Sequence, residues 1–461
     1  MAHDSLFLAA FVATLAGIVY FAWGKSTARN NDEFTLNGRT ASGWGVSGAI
    51  TGTLVGGAST IGTAQLAFLY GLSAWWFTLG AGLACLFLGI FIAAPMRRSH
   101  VVTIPQFIAG CYGEKAGVAA SLYSALGMFI QIVAQLLACG ALLAVLFDLP
   151  LWLSASVSSL LVIVFTLGGG MKSAGVTGLI KLALIYATMV TAGCLAYRLS
   201  GGWGALLTNF PVFPWFSLFG YGTKQCLSDL VSMLVGVVST QTYLQAVFSA
   251  RDEKSARNGA LLSAVLIPPL GIFGVLVGLY MRQTSPDLSS ALVLPTFIEQ
   301  QFPGAFAGVA FATLLIASIG TASGLALGVA TTLKVDVLGR AGKAAQSLGF
   351  FRGLTAVVVV AACSLLMFNL GSSIMDWSFL SMGLRGATLC FPMLLAIFLK
   401  PSNLHRAGMW SIFIAPACVI LAGALKVEWI PPLYIGLGMS LILLVLSRVV
   451  ERPPDNRIDR S

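Results

Sequence analysis

Two cationic side chains, Lys181 and Arg385, sit in runs of residues that are otherwise apolar. An ammonium at bilayer depth costs roughly 2.5–3.5 kcal/mol on insertion scales, so each needs a reason to be there. For Lys181 one reason is snorkelling. Counted from Lys172, at the edge of its run, it lies nine residues further on, roughly 13 Å at about 1.5 Å per residue, and a flexible stem recovers part of that distance. The other reason is a fixed positive charge that serves a site. The Arg385 guanidinium cannot shed its proton and must be paired or hydrated. Asp376 is nine residues earlier, roughly 13 Å along a regular helix and too far for a direct bond. Arg385 therefore either braces backbone carbonyls or receives an anionic substrate such as a carboxylate or an amino acid. Four glutamines, Gln65, Gln131, Gln135 and Gln241, add amides that both donate and accept. Gln131 and Gln135 share one helix face. Glutamines within spans also join helices, and for Gln131 and Gln241 that reading stands beside substrate binding.

Other chemistry is missing. The three histidines, His3, His100 and His405, fall at a terminus or between apolar runs, so neither a histidine metal site nor a histidine base can be built within the spans. This argues against an intramembrane hydrolase. The run Gly168-Gly169-Gly170-Met171-Lys172-Ser173 lacks the spacing of a phosphate loop and lies between two apolar runs. All eight cysteines lie in or beside apolar spans without a Cys-x-x-Cys pair and read as small core residues. Nothing here points to nucleotide-driven work, so energy for transport, if any is used, must come from an ion gradient, with no cofactor beyond the coupling ion.

The elements that position these groups follow from composition. Of 461 residues, 57% are hydrophobic and 9% charged, against roughly a quarter charged in a soluble chain. Apolar runs long enough to cross a hydrocarbon core roughly 30 Å thick recur along the whole chain. About thirteen spans are expected, near 5–24, 44–70, 73–97, 117–147, 150–168, 172–198, 224–248, 256–282, 305–333, 350–370, 372–398, 407–425 and 432–450. The first has no small-residue cleavage site after it and reads as a retained helix. Arginine and lysine concentrate in alternate connections, including Arg39, Arg97, Arg98, Arg251, Lys254, Lys334 and the tail from Arg448, while the opposite loops carry little beyond Lys224, Arg282 and Lys426. The N-terminus is thus expected outside and the C-terminus in the cytoplasm of a cell (inner) membrane. That bias accounts for the net charge of +10 and leaves no basic soluble face for nucleic acid.

Two spans carry breaks. The second holds Gly56-Gly57-Ala58-Ser59-Thr60-Ile61-Gly62-Thr63 and the seventh holds Gly236-Val237-Val238-Ser239-Thr240-Gln241, both poor in helix formers. An unwound helix offers backbone carbonyls and helix ends to ions and solutes, and such breaks come in pairs. Small residues also permit close helix packing; the matching placement favours paired breaks. Residues 44–198 and 224–398 then read as two five-helix units of opposite topology, with 5–24 and 407–450 peripheral to one transmembrane domain spanning 1–461.

Local motifs carry a family resemblance. Phe34-Thr35-Leu36-Asn37-Gly38-Arg39, the stretch from Gly57 to Phe68-Leu69-Tyr70-Gly71, Thr103-Ile104-Pro105-Gln106-Phe107 with Cys111-Tyr112-Gly113, Ser249 to Arg257, and Ala317 to Asp336 resemble the sodium:solute symporter family over nearly the whole chain. The resemblance implies an all-α membrane protein of LeuT type, a five-plus-five inverted repeat with one helix before the core and two after. It implies a sodium ion between core helices 1 and 8, held by carbonyls at positions resembling Ala58, Ile61 and Ala317 and by hydroxyls at positions falling on Gly320 and Thr321. It implies a pocket that includes Thr60 and Gln65, the latter matching a glutamine with which a sugar-carrying member binds substrate.

Here the chain departs from the pattern. Gly320 has no side-chain oxygen, and Ser318 or Ser323 compensates only in a shifted register. Where the family carries Asp and, three residues on, Gln, this chain has Thr177-Gly178-Leu179-Ile180-Lys181. Lys181 is then expected to stand in for sodium and to load and release a proton, with snorkelling as the alternative. The function expected is secondary active import of a small polar or anionic organic solute by alternating access. Symport with a cation is expected, Na⁺ by resemblance or H⁺ through Lys181 and Gly320. An ion-independent uniporter or exchanger and a transporter-like solute sensor are the alternatives; enzymatic activity is not expected. The partners expected are the solute and the lipid bilayer, with a monomer as the working state and an accessory partner left open.

Overall fold

The computed structural model describes residues 5–24, 39–168, 174–334, 348–399, 405–425, 427 and 429–450. Phe34–Gly38, Gly169–Ser173 with Lys172, Asp336, His3 and the tail beyond residue 450 lie outside them. The described chain is helical: α1 (Ser5–Gly24), α2 (Gly43–Leu54), α3 (Thr63–Tyr70), α4 (Trp76–Phe87), α5 (Ala93–Arg98), α6 (Ile104–Tyr112), α7 (Glu114–Phe147), α8 (Leu151–Gly168), α9 (Ala174–Leu199) and α10 (Gly202–Asn209). It continues as α11 (Thr223–Val238), α12 (Gln241–Phe248), α13 (Glu253–Leu266), α14 (Pro268–Thr284), α15 (Val293–Gln301), α16 (Gly304–Thr332), α17 (Leu348–Met367), α18 (Ile374–Phe398), α19 (His405–Ala424) and α20 (Pro432–Val450).

The expected spans fall on these helices or on linked pairs of them, and the helices do not by themselves fix the number of spans at thirteen. Among the described residues, six helical stretches are long and apolar enough to cross a membrane, and the pair α11–α12, bent by 41°, makes a seventh if taken as one span. Shorter apolar helices occupy 5–18, 151–167, 352–367, 408–423 and 432–446. The spans expected at 44–70 and 73–97 are linked by continuous helical turns, interrupted at Gly71, whose φ is 68°. A Cβ at Gly71 would stand 2.2 Å from the Trp215 carbonyl oxygen, so close approach of the chain fixes glycine there.

Both breaks form where sequence expects them. α2 stops at Val55, extended at φ −85° and ψ 97°, and the chain resumes through a π-helical turn, Ala58–Gly62, into α3. The reason is packing. A Cβ on Gly57 would lie 2.3 Å from the Ala138 Cβ, and one on Gly56 would lie 2.6 Å from the Thr321 hydroxyl oxygen. The second break falls at Ser239 and Thr240, where Thr240 is extended (φ −95°, ψ 121°) and its hydroxyl donates to the Gly236 carbonyl, 2.6 Å away. α7, α9, α16 and α18 enclose the breaks, with α7 packed on α16 and α18, and α9 on α2.

At the arginine-rich face, short connections clasp one another. Ala41 pairs in parallel with Ala250, donating to Ser249 and accepting from Arg251 through the backbone. Arg39 donates to the His100 carbonyl oxygen at 2.7 Å and contacts its Nδ1 at 3.0 Å. Arg97 donates to the Ala250 carbonyl, and Arg98 makes a two-pronged pair with Glu253 at 2.6 Å. At the other face Arg282 lies over the Phe68 and Trp215 rings.

Candidate functional site

Lys181 is carried by α9 to the point where α2 and α16 converge. Its Nζ donates to the Gly52 carbonyl at 2.5 Å, the Ala317 carbonyl at 3.0 Å and the Thr321 hydroxyl at 3.2 Å. The residue is 6% exposed. Three oxygens in reach of an ammonium's three donors account for the buried cation without snorkelling. Two of the acceptors, Ala317 and Thr321, are positions that the family resemblance assigns to the ion; Gly52 is not. The signal for Gly52 is its spacing from Gly48, a Gly-x-x-x-Gly pair that lets another helix approach closely. α9 does approach there: a Cβ on Gly178 would stand 2.1 Å from the Gly48 carbonyl oxygen and 3.3 Å from the Gly52 Cα. An aspartate at position 178 has no room in this arrangement.

Around Gly320 there is space, since a Cβ built there meets nothing within 4 Å. Ala58 and Ile61 are buried in the π-helical turn, and the Ala58 carbonyl accepts a long contact from Thr63, 3.5 Å. Neither is a partner of Lys181. Thr60 turns its hydroxyl onto the Gly56 carbonyl, 2.9 Å, within its own turn.

The glutamines divide by task. Gln65 accepts from the Ile374 amide at 3.0 Å, satisfying an orphan donor at the start of α18, and reaches Ser290 at 3.4 Å. Gln135 accepts from the Gly57 amide at 2.9 Å and so anchors the first break to α7. Gln241 accepts from the Ile104 amide at 2.8 Å and donates to the Val102 carbonyl at 3.2 Å, tying the second break to the α5–α6 connection. Gln131 donates to Ser378 at 3.0 Å, while its Oε1 is buried with no hydrogen-bond partner among the described residues. The hydroxyls of Ser239 and Thr242, at and just past the second break, are likewise buried and unpaired. Such atoms cost on the order of 1–3 kcal/mol each until a partner arrives.

Arg385 is 0% exposed and packs its stem against Gly127, where a Cβ would stand 2.5 Å from the Arg385 Cγ. The guanidinium donates to the Ser381 carbonyl (3.1 Å), the Ser381 hydroxyl (2.8 Å) and the Thr240 hydroxyl (2.8 Å), and touches the Met382 sulfur. These are neutral acceptors, and among the described residues no carboxylate pairs with it. Two fixed cations therefore flank the breaks, one on α9 and one on α18. Asp376 does not approach Arg385; it lies in the first turn of α18 and faces a separate cavity.

The model of the sodium:solute symporter family matches residues 34–414. The chain is 26% identical over 391 residues to the uncharacterized symporter YwcA of Bacillus subtilis, covering 78% of this chain and 74% of that protein. It is 25% identical to the high-affinity choline transporter 1 of Drosophila melanogaster, covering 83% of this chain and 64% of that one. A solved structure of a Na⁺-coupled sialic acid symporter, substrate-bound and outward-open, superposes with a TM-score of 0.77 at 17% identity, over 97% of this chain and 98% of that chain. At that identity the likeness shows the fold, a LeuT-type helical architecture.

Proposed function

Since the chain belongs to the sodium:solute symporter family, a family of multi-pass membrane transporters that move small solutes with a cation, we propose that it imports a small anionic organic solute coupled to protons, with the Lys181 ammonium in the place of a sodium ion. The observation that carries this reading is the Lys181 ammonium donating to Gly52, Ala317 and Thr321. A sodium ion needs several hard oxygen ligands, and a cation already bonded to the Ala317 carbonyl and the Thr321 hydroxyl competes for the same lone pairs. Gly320 supplies no further oxygen. Proton loss from Nζ removes one positive charge and one donor from the junction of α2, α9 and α16. That change biases two packings of these helices differently, which is what coupling requires.

The solute class follows from the second cation. Among the described residues, Arg385 and Lys181 bond only neutral oxygens and a sulfur, so a bound anion lowers the energy of the site and a bound ammonium raises it. A choline-like solute, for which the Drosophila relative is named, is the poorer fit to this centre. The unpaired Gln131 Oε1, Ser239 and Thr242 hydroxyls offer polar contacts beside the charge. In this reading thirteen spans form a five-plus-five inverted repeat, residues 44–198 and 224–398, with the N-terminus outside and the C-terminus in the cytoplasm.

The test is uptake of candidate carboxylates into sealed proteoliposomes, with potassium in place of sodium and an imposed pH gradient. Acid outside should drive accumulation without sodium, and Lys181→Ala should abolish the pH dependence. Uptake that rises steeply with sodium at fixed pH and survives Lys181→Ala refutes the proposal.

A further inference from the structure

Away from the breaks, α11, α18 and the start of α20 enclose a cavity of about 590 Å³ at the face opposite the arginine-rich clasp. That volume falls within the range of roughly 300–1,000 Å³ that holds small organic ligands. Two carboxylates face it, Asp229 from α11 and Asp376 from α18, with the Tyr221 and Phe379 rings. Asp229 is 3% exposed; it accepts from the Tyr221 hydroxyl at 2.5 Å and from the Gln225 amide at 3.0 Å. Both are neutral donors, so among the described residues this buried carboxyl is hydrogen-bonded without an ion pair. Asp376 has no ion-pair partner among the described residues. Lys224 lines the same cavity and turns its ammonium to the Trp429 carbonyl, so the lining carries one lysine against two carboxylates.

A second observation stands apart from the acids. Ser228 lines the same cavity at 6% exposure, and its hydroxyl makes no hydrogen bond among the described residues. An unpaired hydroxyl, two carboxylates against one lysine, and two aromatic walls together describe one complement. The ligand would carry a positive charge, to compensate the acids. It would carry N–H donors, for Ser228 and the carboxylate lone pairs. It would carry an apolar body, to lie against rings that attract cations.

We propose that this cavity is a binding site for a small alkylammonium ion, separate from the paired breaks that hold Lys181 and Arg385. The opposite charge of the two places keeps their ligands distinct: the centre favours anions and the cavity favours organic cations. A bare sodium ion leaves most of the volume and the aromatic walls unused, so it binds more weakly than an alkylammonium here.

Isothermal titration of the purified full-length protein with ethylammonium chloride, at constant ionic strength against sodium chloride, tests this. Saturable binding of one ion per chain is expected, at least tenfold tighter than sodium. Asp229 also anchors Tyr221 and Gln225, so Asp376→Asn is the variant that separates binding from folding; it should weaken binding tenfold or more, and Ser228→Ala severalfold. Binding should persist in Lys181→Ala, which alters only the other place. Absence of saturable binding, equal affinity for sodium, or unchanged affinity in both Asp376→Asn and Ser228→Ala overturns the proposal.

Discussion

Replacing Gly178 by alanine tests whether the contact of α9 with α2 sets the lysine site. The new Cβ would fall 2.1 Å from the Gly48 carbonyl oxygen and 2.9 Å from its carbonyl carbon, whereas ordinary contact begins at 3.4 Å. The obstacle is backbone, so no rotamer relieves it, and the helices must part by about 1.3 Å at that level. One turn further along α9, Lys181 holds the Gly52 carbonyl at 2.5 Å. A separation of that size stretches the bond past 3.5 Å, beyond hydrogen-bond reach. Forcing a methyl into a packed interface costs about 1–3 kcal/mol, and losing one charge-assisted bond adds about 1.5–3 kcal/mol. The thermal midpoint of the purified protein should therefore fall by several degrees, and the pH dependence of uptake should weaken with it. Gly320→Ala is the internal control, because its Cβ meets nothing within 4 Å; its midpoint should stay within about a degree, given that uncrowded substitutions change stability by about 0.5 kcal/mol or less. Equal midpoints for the two variants would refute the claim that close approach of α9 to α2 positions the ammonium.

Arg385→Gln keeps amide donors and removes the charge; if an anion pairs with Arg385, its loss costs about 3–5 kcal/mol, which is two orders of magnitude or more in the Kd of the best-bound carboxylate. Unchanged affinity in equilibrium binding would reduce Arg385 to a brace on Thr240 and Ser381. Gln65→Leu strands the Ile374 amide, and a midpoint drop matching about 1–3 kcal/mol, with solute affinity retained, is expected of a helix cap; a selective loss of affinity contradicts that role. At the clasp, the hydrogen bond and charge of Arg98 hold the Glu253 carboxyl below the usual carboxylate range. The folded-state value being depressed, the pair contributes at neutral pH and is lost only as pH falls through that lowered value. Amide hydrogen exchange in 99–104 and 249–253, corrected for intrinsic rates, should thus stay flat from pH 7 to pH 5 and rise below, while Arg98→Ala raises it already at pH 7.

The sequence made the bilayer setting and the helix order legible because both rest on composition and run length, which later contacts cannot reverse. The two breaks were legible for a local reason, the poor helix formers Gly56-Gly57 and Ser239-Thr240 at matching points of their spans, and the structure adds what fills the gap, Ala138, Thr321 and Arg385. The glutamines were not legible, because an amide serves a solute and a neighbouring backbone equally well until the neighbour is known. Gln135 and Gln241 find their partners 78 and 137 residues away along the chain, and no periodicity encodes that. Lys181 lies between these cases. Its burial followed from the apolar run around it, and the missing groups at Gly178 and Gly320 hinted at its place, yet the Gly52 acceptor depended on how closely two glycine faces meet. What sequence could not express is that Gly178 and Gly320 differ in kind. One is glycine because a backbone oxygen occupies the space of its side chain; the other borders empty space, so its lack of an oxygen is a property of the site and not of the packing. A serine therefore fits at 320 and an aspartate does not fit at 178, and Lys181→Ala combined with Gly320→Ser should raise sodium affinity more than either change alone, measured by sodium-dependent stabilisation against potassium.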